Sequence, residues 1–204
     1  MAEKEQGTEA IIKEAARKIF QQKGFSATKT REIAEAADIN LALLNYYFRS
    51  KKKLYDIIMI EAIQAFFSQI QPIVNDETTN LREKIAHFVS VYIDILSDNP
   101  NIASFIMNEV RENPKGFAKK IGFFDNIMNS ALFKQFIEAA QKGEIPPIHP
   151  LHFIMNLTSL VVFPFIAMPM LSVITGNPQE NILEIIEERK RLIPLWIEEM
   201  LSVK

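Results

Sequence analysis

Apolar residues recur at helical spacing along the whole chain, and polar clusters break the pattern into separate elements. From Thr8 to Lys23, Ile11, Ile12, Ala15, Ile19 and Phe20 fall on one side of a helix. Thr8 is its candidate N-cap, Glu9 lies in its first turn and Gly24 stands just past its end. Thr28 can cap a second helix from Lys29 to about Ala36, with Ile33, Ala34 and Ala37 facing inward. Asp38-Ile39 then reads as a turn, because Asp tolerates the left-handed conformation and Ile39 supplies an apolar plug. Asn40 caps a third helix, Leu41 to about Tyr47, only two turns long and therefore dependent on packing.

Ser50 caps a fourth helix that runs through Leu54, Ile57, Ile58, Ile60, Ile63, Phe66, Phe67 and Ile70 to a stop near Pro72. It is apolar over too wide an arc for a surface helix. Further helices are expected at about 79–97, from Asn99-Pro100 to Pro114, and from about Gly116 to Lys142. Ile145 to Pro150 is a proline-rich connector. Two last helices follow at about 151–175 and 178–201, and the total is about nine. No β-branched run departs from the helical period, so the fold expected is all-α: three N-terminal helices holding a helix-turn-helix at about 29–48, then a C-terminal helical bundle.

Charge divides the chain in the same place. Residues 1–54 hold 11 Lys+Arg against 7 Asp+Glu, whereas residues 55–204 hold 12 against 18, within an overall net charge of −2. The basic end is the candidate for a polyanion. Lys51, Lys52 and Lys53 occupy the first turn of the fourth helix, where the dipole disfavours cations by roughly 0.3–1 kcal/mol each. That placement makes sense if a phosphate docks there, since backbone N–H and ammonium groups then act together. A solvated basic turn is the plainer alternative.

The chain has no cysteine and no basic-then-apolar leader at its N-terminus, and a cytoplasmic protein is the expectation. No Asp, Glu, Lys or Arg occurs between Glu144 and Glu180, and 151–175 is long enough to span a bilayer. Asn156, Thr158, Ser159, Pro164 and Pro169 interrupt that segment, and no basic residue flanks it closely, so burial against a second subunit is preferred over a membrane. His149 and His152 stand three apart with Pro150 between them and no carboxylate nearby, which suits structure better than a metal. Phosphate loops, nucleophile elbows and metalloprotease motifs are absent. Neither an enzyme nor a cofactor is expected.

Residues 8–54 resemble the DNA-binding domain of the tetracycline-repressor (TetR) family. The resemblance rests on Ala15, Ala16 and Phe20, on Gly24-Phe25, on Arg31-Glu32-Ile33-Ala34, on Ala37-Asp38-Ile39-Asn40 and on Asn45-Tyr46-Tyr47-Phe48 followed by Ser50, Lys51 and Leu54. It implies a DNA-binding domain at 6–54 and a ligand-binding and dimerisation domain at 55–204. It also implies a homodimer that binds a pseudo-palindromic operator as a repressor and is released by a small molecule, and the residue pattern of the last two helices, about 151–175 and 178–201, makes them the expected interface.

Carried over by position, the resemblance assigns Thr28, Thr30, Arg31, Asn40, Leu41, Ala42, Leu43, Asn45, Tyr46, Tyr47 and Lys51 to the DNA-binding face. Asp38 stands where the family commonly has glycine, Asn45 where it has tyrosine, and Leu43 where Ser or Thr is frequent. The reading helix is thus short of polar groups, and thymine-methyl contacts with phosphate anchoring are expected beside base contacts from Arg31 and Asn45.

Twelve of the 15 phenylalanines lie after residue 54. A Phe- and Met-rich bundle suits an apolar effector, with Phe66, Phe88, Tyr92, Phe105, Phe124 and Phe163 as candidate contacts. The rival from another class is a lipid-binding or membrane-associated bundle whose basic end meets anionic headgroups.

Overall fold

The structure is a computed structural model that describes residues 2–122 and 127–202, with side chains from residue 7 onward. Among the described residues there are ten α-helices and no strand: α1 (Ala2–Ala27), α2 (Thr30–Ala36), α3 (Leu41–Phe48), α4 (Lys51–Val74), α5 (Leu81–Asp98), α6 (Asn101–Glu112), α7 (Pro114–Ile121), α8 (Ala131–Gln141), α9 (Pro150–Thr175) and α10 (Gln179–Met200). One more helix is present than the sequence pattern predicts. The single helix expected over Gly116–Lys142 is two. Gly122 ends α7 in the left-handed conformation at φ 55, and Ser130 starts α8 by accepting a hydrogen bond from the Phe133 N–H.

The N-terminal start also differs, since Thr8 lies inside α1 rather than at its cap. Gly24 interrupts α1 with φ 73 and ψ 174, a backbone that a side chain would strain, and so sets the direction of the segment entering α2.

Two apolar cores follow the chain. The first gathers Ile12, Ala16 and Phe20 of α1, Ile33 and Ala34 of α2, Leu44 and Phe48 of α3, and α4 from Leu54 to Ile63. Phe105 of α6 and Ile121 of α7 close it from the other side. The second is built from the far half of α4 with α5, α8, α9 and α10, centred on Val89, Ile93, Phe136, Val161 and Ile193. α4 therefore belongs to both, and the core under the first three helices continues past Leu54 to Ile63.

Ion pairs fasten α1 to α4. Lys13 Nζ and Arg17 Nη2 both reach the Glu61 carboxylate, at 2.9 and 2.7 Å. Lys84, wholly buried, is satisfied without a carboxylate: its ammonium donates to the Asp76 carbonyl and, at 2.7 Å, to Thr79 Oγ1.

α9 is continuous through Pro164 and Pro169. A proline at 164 removes the N–H that would pair with the carbonyl four residues back, that of Leu160. Arg189 of α10 takes its place, donating from Nε at 3.2 Å and Nη2 at 2.9 Å to the Leu160 oxygen. The guanidinium also lies 5.0 Å from the Trp196 ring centroid, and burial lowers its pKa from the ordinary arginine value. A helix with the length and hydropathy of a membrane span is thus tied at its midpoint to a cation of its neighbour.

Candidate DNA-reading face and apolar cavity

Local hydrogen bonding builds the helix-turn-helix. Glu32 in the first turn of α2 reaches back to the Lys29 N–H at 3.2 Å and receives Lys23 Nζ at 3.1 Å. The Lys29 hydrogen bond first, and then Lys23, hold its carboxyl below the usual range. Asp38 adopts φ 52, and the Ile39 N–H closes on the Ala34 carbonyl at 3.0 Å, which turns the chain into α3. Asn40 Oδ1 accepts the Leu43 N–H at 2.8 Å, and Ser50 Oγ accepts the Lys53 N–H at 3.1 Å. Asn40 and Ser50 sit where the sequence pattern puts them as caps.

α3 buries Leu44 and Phe48 and turns Ala42, Asn45 and Tyr46 outward, with Arg49 in line just beyond its end. These four positions follow helical spacing and share one face. Tyr46 is 74% exposed and packs edge-on against Tyr47 at 5.5 Å, so one large aromatic stands in solvent beside a half-buried one. Leu41 and Leu43 are half-buried at the sides, Asn40 and Arg31 are exposed, and Thr30 opens α2 half-buried. Arg49 is a member that sequence reasoning missed. It holds φ 59, unusual for a side-chain-bearing residue, while its N–H donates to the Asn45 carbonyl at 2.9 Å. The available signal was an arginine wedged between a recognition helix and a capping serine.

Two assigned positions stand differently from expectation. Thr28 is buried, and it does not cap α2; its hydroxyl donates to the Gly24 carbonyl at 2.7 Å, and Lys29 takes the cap position. Its side chain has no solvent-facing surface to offer DNA. Lys51 Nζ donates to the carbonyls of Phe25 and Thr28, at 2.8 and 2.9 Å, and lies 4.3 Å from the Phe25 ring centroid. Lys52 pairs with Asp56 at 3.0 Å, and Lys53 is exposed. The lysine triplet is therefore not three cations awaiting an anion: two have partners within the chain, and the unfavourable dipole is offset partly from inside.

Behind α4 lies a cavity of about 770 Å³ whose walls come from α4, α5, α6, α7, α8 and α9. Phe66, Phe88, Tyr92 and Phe163 line it, as the aromatic pattern predicts. Phe105 does not. It is buried in the first core, edge-on to Tyr55 at 5.3 Å, because helical period alone does not say which of two cores an aromatic faces. Phe124 lies outside the described residues. Ile63 and Ile121 line the cavity and also belong to the core beneath the helix-turn-helix.

A polar network crosses the same region. Lys120 of α7 donates to Glu109 of α6 at 2.9 Å and to Asp56 of α4 at 3.1 Å, and Asp56 also holds Lys52. Glu109 is buried and accepts a further hydrogen bond from Asn113 Nδ2 at 3.1 Å. Burial alone would lower the Lys120 pKa, but the bonds to Glu109 and Asp56 outweigh it and raise the value. For Asp56, burial opposes the charge, yet Lys52 and Lys120 bring the pKa below normal. Burial, then the Glu109 charge, push the Tyr55 phenol up.

Among the described residues no cluster of His, Asp or Glu has metal-holding geometry. His149 serves as the N-cap of α9, its Nδ1 accepting the Leu151 N–H at 3.2 Å.

A short two-helix reader with an exposed outward stripe, mounted on an α-bundle, defines a helix-turn-helix DNA-binding protein. Residues 12–57 match the family described as bacterial regulatory proteins, tetR family, and the relatives the chain resembles are transcriptional regulators. It is 29% identical over 161 residues to the "Probable HTH-type transcriptional regulator YttP" of Bacillus subtilis (strain 168), covering 78% of this chain and 77% of that one. It is 25% identical over 146 residues to the transcriptional regulator RutR of Escherichia coli (strain K12), covering 70% and 66%. Its fold matches that of the regulator FadR from Bacillus subtilis in complex with stearoyl-CoA, with TM-score 0.67, 16% identity and coverage of 95% and 99%. The relatives are regulators rather than enzymes.

Proposed function

We propose that the chain is a cytoplasmic, ligand-responsive repressor that binds a pseudo-palindromic operator as a homodimer and leaves it when a small hydrophobic effector enters the cavity. Residues 6–54 carry the DNA-binding domain and 55–204 the ligand-binding and dimerisation domain. Arg31, Asn45 and Tyr46, with Arg49 beside them, face the bases, while Thr30, Tyr47 and the remaining proton of Lys51 serve phosphate. The observation that carries this reading is the shared wall: Ile63 and Ile121 belong at once to the cavity lining and to the core that seats the reading helices. A ligand that spreads the lining changes the packing under α1 to α3. FadR's complex with stearoyl-CoA supports an acyl-like body for the effector.

The dimer is assigned to α9 and α10. Met170, Val173 and Ile174 of α9 and Ile185, Leu195 and Trp196 of α10 are large apolar residues left exposed, more than a lone chain keeps on two neighbouring helices. Selection from a random duplex pool is the test. Recovery of two half-sites about one helical turn or a multiple apart supports the reading, and enrichment of no sequence overturns it. In sedimentation, Val173→Asp is expected to yield monomers that bind the selected duplex far more weakly.

A further inference from the structure

We propose that the cavity takes an uncharged, elongated apolar ligand with one hydrogen-bond acceptor, such as an ester or ketone oxygen, set against the Tyr92 hydroxyl. This rests on the reading of the cavity as the effector site and narrows its chemistry.

Among the described residues the lining contains no Asp, Glu, Lys, Arg or His. A carboxylate or ammonium drawn into it would lose water and find no counter-charge, and burial of an unpaired charge is expensive enough to be avoided. The exposed members of the lining carry no charge either, since Met107, Met155 and Phe163 are apolar and Ser159 is a neutral hydroxyl.

Four hydroxyls line the chamber, and three are occupied by their own backbone. Ser130 Oγ donates to the Ile127 carbonyl at 2.6 Å, Thr158 Oγ1 to Ile154 at 2.7 Å and Ser159 Oγ to Met155 at 2.5 Å. Tyr92 is the exception. Among the described residues its contacts are aromatic, with Phe66 at 4.7 Å and Phe88 at 5.5 Å, and no hydrogen bond engages its oxygen. Burial alone pushes its phenol upward, so the group stays a neutral donor. Tyr92 is half-buried and lines the cavity. A ligand that fills the chamber would cover this hydroxyl, and a ligand oxygen set against it avoids leaving the O–H buried without an acceptor, which is the costly state. The volume, about 770 Å³, falls within the roughly 300–1,000 Å³ of pockets that enclose small organic ligands.

The test compares three probes of equal chain length on the full-length protein: methyl laurate, laurate and dodecane. Affinity is read by calorimetry, and release from the selected duplex by fluorescence anisotropy. Methyl laurate is expected to bind most tightly, with laurate at neutral pH weaker by more than about tenfold. Tyr92→Phe lowers methyl laurate affinity about five- to tenfold and leaves dodecane unchanged, as expected for the loss of one hydrogen bond. Laurate binding as tightly as its ester, or an ester affinity indifferent to Tyr92→Phe, overturns the inference. Release of the duplex by laurate in that case would keep the effector reading standing. Conversely, Tyr92-dependent ester binding with no effect on the duplex supports the cavity chemistry and overturns the effector reading, and no binding by any probe overturns both.

Discussion

Lys51 serves the fold with two of its protons and leaves a third for phosphate. Its ammonium joins the end of α1 to the start of α2 by two carbonyls, so Lys51→Met leaves both acceptors short of a donor and is expected to destabilise by about 2 kcal/mol, a fall in Tm of roughly 4–8 °C. Calorimetry checks this; an unchanged Tm with weaker DNA binding would mean that the lysine serves phosphate alone. Arg31→Ala and Asn45→Ala act elsewhere, since both side chains are exposed. Each is expected to keep Tm within about 1 °C, since exposed positions shift stability little, and to lose about 1–3 kcal/mol of discrimination at one base position, read by competition between selected and mutated duplexes. Sequence alone could not foresee Lys51's partners, because its acceptors lie 26 and 23 residues upstream. Asn40 and Ser50 were legible because a cap bonds only three residues ahead. Thr28 misled for a related reason: Glu32 supplies the capping bond to Lys29, which leaves the threonine hydroxyl to turn back to Gly24.

Among elements, α9 is the one whose composition argues hardest against its setting. Arg189 answers the carbonyl that Pro164 leaves unpaired, and the two residues form a unit across α9 and α10. Arg189→Met alone is expected to destabilise by about 2–3 kcal/mol, because it strands a partly buried acceptor. In a Pro164→Ala background, where residue 164 regains its N–H, the same change is expected to matter by less than about 1 kcal/mol. Urea unfolding of the four proteins closes the cycle, and additive effects would show that the pairing is incidental. The residue content of α9 was plain in the sequence, including its prolines. What they required of the next helix was not, because the compensating donor is 29 residues away. The split between α7 and α8 was visible in hindsight at Gly122 and Ser130, two capping types inside one apolar run.

Across the whole molecule, Asp56 of α4 is one of the points that join the two halves, held by Lys52 of the same helix and by Lys120 of α7. Asp56 titrates below its ordinary value, so its contribution to stability is present above about pH 3.9 and is lost as pH falls through the lower folded value. Lys120 titrates above its ordinary value, so its contribution is full below about pH 10.4 and is lost as pH rises through the raised value. Lys120→Met leaves Glu109 buried without its cation and is expected to lower stability near neutrality by about 3 kcal/mol. It should also flatten both limbs of a Tm-versus-pH profile, and retention of the wild-type limbs would assign them to other groups.

The carboxylate of Asp56 thus has a meaning beyond fastening helices. If filling the cavity weakens the grip on the operator by some factor, thermodynamic reciprocity requires that the operator weaken the hold on the effector by that same factor. DNA is then itself a ligand that empties the chamber. Calorimetric titration of the effector into free and operator-bound protein should return equal ratios in both directions, and Lys120→Met should bring both ratios toward unity together.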